Sequence, residues 1–518
     1  MTTLPSGLPV VVDRATATPL AVQISAQLEA AVTGGVLRSG DRLPSSRDLS
    51  ASLGVSRTVV TNAYARLFAE GWLEGRQGSG TYVADVTAPP MEPLAQPSQP
   101  GQWPAGANGR GPVPADGHRD PERNRVAPRH LLASRESKAP ADLIDLQPGI
   151  SWAEGIEPPM WRRAWRQAGA HLPSRWPDPH GLPELREEIA AYLRRSRGLA
   201  VTPAHILVTQ GVSSGLALLA DALLAPGDKA GIEDPGYPTG REVLRRAGAR
   251  VVPCRVDAHG IVTEELPADL KLLYTTPAHQ YPLGGRLPVS RRQALVAWAR
   301  ATGALVVEDD YDSEFRYDVG PLPALHSMDP DVIVYLGTAS KVLATAFGAG
   351  WLVAPPALVE RLAALRPRLG ARIPEAVQHA VLALLRSGDM ERHVRRMRLE
   401  YARRRAALVD GLLHGAGPAA AVNGDRPGEA RPVPPPVPFR LLGDTAGIHV
   451  VLELPADYPA ARLVEVAAAR GVAVYTLDRY FAGPPTISGL ILGYGTATLP
   501  EVRRAAAELA RLLTGRIG

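Results

Sequence analysis

The segment 337-GTASK sets Thr338 and Ser340 beside Lys341, directly after the apolar run 332-VIVYL. A second apolar run, 303-GALVVEDDYDSEF, ends in acids and a tyrosine, among them Asp309 and Tyr311. Polar groups at the carboxyl ends of adjacent strands are where open α/β sheets bind ligands. An amine, a carboxylate and hydroxyls so arranged are what pyridoxal phosphate needs. The lysine forms a Schiff base, the carboxylate keeps the pyridine nitrogen protonated, and the hydroxyls hold phosphate. Singly, each has another reading: a lysine after a strand can be a solvated surface residue, and an acidic cluster a solvated turn. Lysine is scarce, however. Of 57 Lys and Arg only Lys138, Lys229, Lys271 and Lys341 are lysines, leaving 53 arginines. That bias fits a genome-wide composition. A retained lysine gains weight against it, because a guanidinium cannot replace an amine in a Schiff base.

A second chemistry lies near the N-terminus. In 40-GDRLPSSRDLSASLGVSRTVVTNAYARLFAEGWL, Ser45 is placed to cap a helix carrying Leu49 and Leu53 inward, and Gly54 supplies a tight turn. Ser56 is placed to cap the next helix, which runs through Val60, Tyr64 and Leu67. The order helix, Gly turn, helix is the helix-turn-helix pattern. The following 72-WLEGRQGSGTYVA predicts two short strands around a Gly-rich tip, a wing. Ser56, Arg57, Thr58 and Thr61 face outward at the start of the second helix, where side chains reach base edges and phosphates. Arg47 is placed to grip the backbone, and Gly78 lets the wing tip approach it. A helical module with solvated arginines, or one that binds protein, has the same spacing. Residues 1–85 carry seven arginines against seven acids, so DNA affinity depends on clustering, not net charge.

The elements that must hold these groups divide the 518 residues into three parts: 1–85, a winged helix; 86–142, a flexible linker; and 143–518, a large α/β domain. The middle part is dense in Pro, Gly and polar residues and cannot bury enough apolar surface to offset chain entropy. From residue 143, strands such as 206-ILVT and 304-ALVVED alternate with amphipathic helical patterns, which predicts a mostly parallel sheet. A Pro-rich insert at 424–438 reads as a surface loop. No apolar run reaches the roughly 20 residues of a membrane span, and the N-terminus lacks the pattern of a secretory signal. Cys254 is the single cysteine, which excludes an intrachain disulfide framework and fits a reducing cytosol. No Cys/His cluster suggests a metal site. The net charge of +5 is too mild to argue for nucleic acid alone.

The run LPSSRDLSASLGVSRTVVTNAYARLFAEGWLEGRQGSGTYV resembles the winged helix of GntR-type regulators over nearly its whole length. That resemblance puts Arg47, Ser56, Arg57, Thr58 and Gly78 at double-stranded DNA. From about residue 145 onward the chain resembles fold-type I aminotransferases, specifically the MocR-type regulators that fuse that domain to a GntR winged helix. The motifs are HGLPELREEIAAYLRRSRG at 180–198, TQGVSSGL at 209–216, EDPGYP at 233–238, TTPAHQYPLG at 275–284, EDDYDSEF at 308–315, GTASK at 337–341 and AGIHVVLELP at 446–455. The resemblance implies a mostly parallel large domain with a smaller α+β C-terminal part. It makes Lys341 the covalent anchor of pyridoxal phosphate, with Asp309 at the pyridine nitrogen and Tyr311 at the ring hydroxyl. Tyr237 stacks on the ring, the amides near Val212 and Ser213 share the phosphate with Thr338, and His279 and Tyr281 line the pocket without assigned roles. It also implies a cytosolic homodimer on an operator with paired half-sites, answering to the cofactor or to an amine or amino acid.

Four positions depart from the family pattern. Gly348 stands where an arginine usually follows the lysine by seven residues, with Thr345 replacing a proline of that turn. Ile491 lies where a carboxylate-binding arginine usually precedes the final strand, and Trp176 where a phosphate-contacting tyrosine is common. Each charge-assisted hydrogen bond lost weakens anion binding by about 1.5–3 kcal/mol. Arg241 and Arg479 are candidates to compensate, although both are expected at the surface. The departures favour a sensor over the alternative, a working aminotransferase with a DNA-binding appendage. A third alternative is a regulator that uses its large domain only to dimerise.

Overall fold

Local sequence sets the N-terminal unit. Helix α1 (Leu20–Thr33) stops at Gly34-Gly35. Ser45 caps α2 (Ser46–Leu53), its hydroxyl accepting from the Asp48 amide at 3.2 Å, and Gly54 ends that helix in the left-handed region at φ +62°. Ser56 precedes α3 (Arg57–Glu70), but its side chain makes no capping hydrogen bond, which corrects that part of the expectation. The Tyr64 hydroxyl donates to the Pro44 carbonyl at 2.8 Å and pins α3 onto the turn before α2. Strands β1 (Leu73–Arg76) and β2 (Gly80–Val83) pair antiparallel as a wing. Ile24, Leu28, Leu49, Val60, Leu67 and Val83 form the core, each no more than 2% exposed. Side chains of this kind stabilise by roughly 1.5–3 kcal/mol each when fully buried.

The computed structural model describes residues 10–16, 19–76, 80–84, 143–317, 323–371, 373–414, 437–443 and 446–514. The expected linker at 86–142 and residues 424–436 of the Pro-rich insert lie outside them. Strand β3 (Ile144–Asp145) leads into an eight-stranded sheet. Its strands are β4 (Ile206–Thr209), β5 (Lys229–Asp234), β6 (Arg250–Asp257), β7 (Gly260–Ile261), β8 (Leu272–Thr275), β9 (Leu305–Asp310), β10 (Ile333–Thr338) and β11 (Gly350–Val353). Their order is β4-β11-β10-β9-β8-β5-β6-β7. Every pairing from β10 through β6 is parallel; β11 runs antiparallel to both its neighbours, and β7 antiparallel to β6. All residues of β9 and β10 are buried, as a parallel strand covered on both faces requires.

A smaller antiparallel sheet follows, in the order β12-β13-β16-β15. It contains β12 (Arg440–Leu442), β13 (His449–Leu454), β15 (Tyr475–Thr476) and β16 (Ser488–Gly493), while β14 (Val472–Ala473) pairs with β3. Helices Ala460–Ala469 and Leu499–Thr514 share its apolar core, which makes it the expected α+β part. The winged helix also touches the large domain. Val289 joins the winged-helix core, and a Cβ at Gly71 would lie 3.1 Å from that of Pro288. Among the described residues no helix is long and apolar enough to cross a membrane, and no His/Cys/Asp/Glu group could hold a metal.

Candidate functional site

Five acids crowd the run 308–314, and strand alternation sends them to different partners. Glu308 accepts the Leu325 and His326 amides at 2.8 Å each, and burial pushes its carboxyl up to about 7. Asp309 turns to the opposite face. Its Oδ2 accepts from the Tyr274 hydroxyl, its Oδ1 is buried with no partner among the described residues, and burial pushes the carboxyl up to about 8. Asp310 and Glu314 both meet Arg197, and Asp312 meets His279. Of the five, Asp309 alone keeps a buried oxygen without a partner among the described residues, and the positive charge of Lys341 acts on it. An orphaned, buried carboxylate oxygen fits a cationic ring N–H.

Lys341 follows the end of β10, and its Nζ donates to the Gly149 carbonyl. Gly149 has φ +77°, and a Cβ there would stand 3.5 Å from Lys341 Nζ and 3.8 Å from the Tyr281 hydroxyl, inside the pocket. A cradle forms beside it, where helix Val212–Leu223 begins after Gly211. Gly211 sits at φ +116°, and a Cβ there would come within 3.8 Å of Thr338 Oγ1 and 3.9 Å of Ser340 Oγ. A helix start with free amides facing two hydroxyls is suited to phosphate. Ser213 Oγ lies 3.1 Å from the Tyr237 hydroxyl, so Tyr237 is tied to the cradle's edge.

Two loops border the pocket, and Glu233, buried and unremarked in the sequence, joins them. Its carboxylate accepts from Thr275 Oγ1 at 2.5 Å, Thr276 Oγ1 at 2.6 Å and the Thr276 amide at 3.1 Å. Gln280 Nε2 adds a bond at 3.2 Å and also donates to the Pro235 carbonyl at 2.9 Å. Burial raises the Glu233 carboxyl, and these donors work against that. The result fixes the Tyr237 loop relative to the one bearing His279 and Tyr281. Tyr281 stands edge-on to Tyr237 at 6.2 Å and to Tyr311 at 5.6 Å. The signal was present as EDPGYP and TTPAHQYPLG, but nothing local says that these loops meet.

The departures have structural counterparts. Gly348 adopts φ +59°, with only the Gln210 carbonyl near where its Cβ would be, at 4.0 Å. Ile491 is buried in an apolar cluster and pairs with Val451 and Tyr475. Trp176 is 82% exposed. Neither Arg241 nor Arg479 is a free surface residue, which corrects the expectation. Arg241 clamps the Phe481 and Tyr480 carbonyls at 2.6 and 2.5 Å. Arg479 is half-buried, lies over Tyr475 and Tyr480, and donates to the Tyr480 hydroxyl at 3.0 Å. That hydroxyl accepts from Tyr281 at 3.3 Å, so a guanidinium without a carboxylate partner among the described residues borders the pocket.

On the winged helix, Arg47, Ser56, Arg57, Thr58 and Thr61 are all exposed on α2, α3 and the turn between them. Arg57 Nε contacts Ser46 Oγ at 3.3 Å and so leans toward α2. Gly78 lies outside the described residues. Arg42, overlooked in the sequence, rests its guanidinium against the wing at Gly80.

Comparison with known proteins agrees with both halves. Residues 20–83 match the family of bacterial regulatory proteins of the gntR type, and residues 148–420 match aminotransferase class I and II. The HTH-type pyridoxine biosynthesis transcriptional regulator PdxR of Corynebacterium glutamicum is 35% identical, over 97% of this chain and 98% of its own length. The probable rhizopine catabolism regulatory protein MocR of Rhizobium meliloti is 30% identical, over 93% and 92%. Among solved structures, an archaeal alanine:glyoxylate aminotransferase superposes with a TM-score of 0.65 at 25% identity, covering 74% of this chain and 94% of that one.

Proposed function

The chain belongs to the MocR-type transcriptional regulators, which join a GntR winged helix to a class I and II aminotransferase domain, and from that premise we propose that it senses pyridoxal phosphate on Lys341. Lys341 would hold the cofactor covalently through its amine, and the cofactor would supply an aldehyde for that Schiff base, with water as the leaving group. Asp309 would hold the ring nitrogen, Tyr311 the ring hydroxyl and Tyr237 the ring face, while Val212, Ser213 and Thr338 would hold the phosphate. The observation that carries this reading is Asp309 Oδ1, buried without a partner among the described residues and within the field of Lys341. The relative named for pyridoxine biosynthesis favours the cofactor itself as the signal. Arg479, bordering the pocket through Tyr480 and Tyr281, suits the carboxylate of an amino-acid effector as a co-ligand. The test pairs cofactor absorbance with a gel shift on the DNA upstream of the protein's own gene. No protein-linked band, or DNA binding indifferent to pyridoxal phosphate, sinks the reading.

The protein acts as a cytosolic homodimer on paired half-sites. Leu172 and Trp176, 89% and 82% exposed on one loop, suit burial against a second copy. DNA contact falls to Arg47, Ser56, Arg57, Thr58 and Thr61, with Gly78 at the wing tip. Arg57→Ala is expected to weaken operator binding about tenfold or more, the worth of one good base contact, while the cofactor band is retained. Equal gel shifts by both proteins would remove Arg57 from the readout.

A physical link runs from pocket to reader. Arg292 donates to the carbonyls of Leu287 and Pro323 at 2.9 Å each and of Pro277 at 3.4 Å, bracing the loop that carries His279 and Tyr281. The same loop ends at Pro288 and Val289 against the winged helix. Val289→Asp is therefore expected to leave cofactor binding intact but to remove the response of DNA affinity to pyridoxal phosphate. A variant that still responds like the unsubstituted protein places the coupling elsewhere.

A further inference from the structure

His279 is 2% exposed, and its Nδ1 faces two groups at once: Asp312 Oδ2 at 2.9 Å and the Tyr311 hydroxyl at 2.9 Å. One ring nitrogen has either a proton to give or a lone pair to offer, so it cannot accept from Tyr311 while donating to Asp312. A carboxylate only accepts. Asp312, itself 1% exposed, therefore draws the proton onto Nδ1, and the Tyr311 proton must find another acceptor. The far nitrogen agrees: His279 Nε2 is buried with no hydrogen-bond partner among the described residues, a cheaper fate for a lone pair than for an N–H.

The surroundings hold the pair in place. Gly447 has φ +82°, and a Cβ there would fall 2.4 Å from His279 Cε1 and 2.6 Å from Asp312 Oδ2, so only bare backbone can cover them. His449, 5.5 Å away ring to ring, spends its Nε2 proton on the Pro282 carbonyl at 2.9 Å. Burial, and then His279, push His449 down to about 4, which leaves it uncharged beside the pair. The other titratable groups facing this corner are Tyr281, packed edge-on to Tyr311, Tyr317 and Tyr494, whose hydroxyls both donate to the Gly447 carbonyl, and Lys341, Asp309 and Glu233 beyond.

We infer that Asp312 and His279 are a positioning pair that fixes the direction of the Tyr311 hydroxyl, so that its proton is given to the ring oxygen of a ligand held on Lys341. The inference rests on the proposed cofactor reading and adds to it the residues that make Tyr311 a donor rather than an acceptor. With the cofactor held on Lys341, donation by Tyr311 to its ring oxygen would draw off negative charge and so ease loss of a proton from the lysine nitrogen. Loss of that donation raises the pH at which the bound cofactor's absorbance changes.

The experiment is a pH titration of that absorbance in the full-length protein loaded with pyridoxal phosphate. Tyr311→Phe and Asp312→Asn are each expected to raise the midpoint by about one unit, the effect of one hydrogen bond. The double variant should move no further than Tyr311→Phe alone, and Asp312→Glu, which keeps the charge, should stay near the original midpoint. An unmoved midpoint in Asp312→Asn beside a shifted Tyr311→Phe, or additive shifts, overturns the pairing while sparing the cofactor reading. No band in the unsubstituted protein overturns both. Should Asp312→Asn fail to fold, the nitrogen shifts of histidine-labelled native protein decide, and a proton on Nε2 instead of Nδ1 of His279 overturns the inference.

Discussion

Lys341→Ala is expected to abolish the protein-linked absorbance of pyridoxal phosphate outright and, with it, any effect of the cofactor on DNA binding. Among the described residues no other lysine can take over, because Lys229, paired with Asp269, begins β5 and Lys271 directly precedes β8, both at the amino ends of strands parallel to the one whose carboxyl end leads to Lys341. The second half of the prediction concerns Asp309. Its carboxyl, pushed up to about 8 by burial, holds a proton at neutral pH until a countercharge arrives. A ring nitrogen facing Oδ1 supplies the site for that proton, so that the carboxylate forms only as half of an ion pair. Asp309→Asn keeps the shape and removes the charge. It should retain a band but weaken cofactor affinity about 10- to 100-fold, the worth of one charge-assisted hydrogen bond of about 1.5–3 kcal/mol. Absorbance titration with the cofactor measures both variants. An affinity unchanged in Asp309→Asn would mean that the open oxygen faces something other than the ring nitrogen.

These expectations could be written largely from the sequence, and where they could not, the reason is geometric. The winged helix was legible because its signals are local: Ser45, Gly54 and the spacing of Leu49, Val60 and Leu67 specify turn and core together. The pocket was legible because Asp309 and Thr338 end neighbouring strands that sequence order already brings side by side. What escaped notice depends on distant contacts. Glu233 reaches Thr275, Thr276 and Gln280 across more than 40 residues, and no local pattern marks it as a hub. Nothing in the sequence sets Arg479 and Arg241 apart from surface residues, since 53 arginines leave little information in any one. The contact of Val289 with the winged helix crosses the whole linker and has no period to betray it.

Arg197 was hidden in the same way, and its loss is expected to be the most damaging single change to the large domain. Strand alternation that turns Asp309 toward the pocket turns Asp310 away from it, into a buried charge network. Arg197 Nε meets Asp310 Oδ2 at 2.6 Å, and its Nη2 stands 2.7 Å from Glu314 Oε1. Tyr335 donates to Asp310 at 2.7 Å, Ser313 donates to it as well, and Tyr192 donates to Glu314 at 2.8 Å. Burial works against the ionised form of Asp310, yet Arg197 and these donors hold its carboxyl below the usual range. Arg197→Ala strands two carboxylates in the interior, which costs about 3–5 kcal/mol when one partner of a buried pair is removed. The urea midpoint of the large domain should fall accordingly, and cofactor affinity with it, because Asp309 is held by the same strand end. The charge argument also predicts its own rescue. Arg197→Met combined with Asp310→Asn and Glu314→Gln removes every stranded charge and should recover most of the lost midpoint. A triple variant as unstable as Arg197→Ala, although methionine keeps the stem's apolar packing, would show that the directed hydrogen bonds of the guanidinium, not the balance of charge, hold the end of β9 in place.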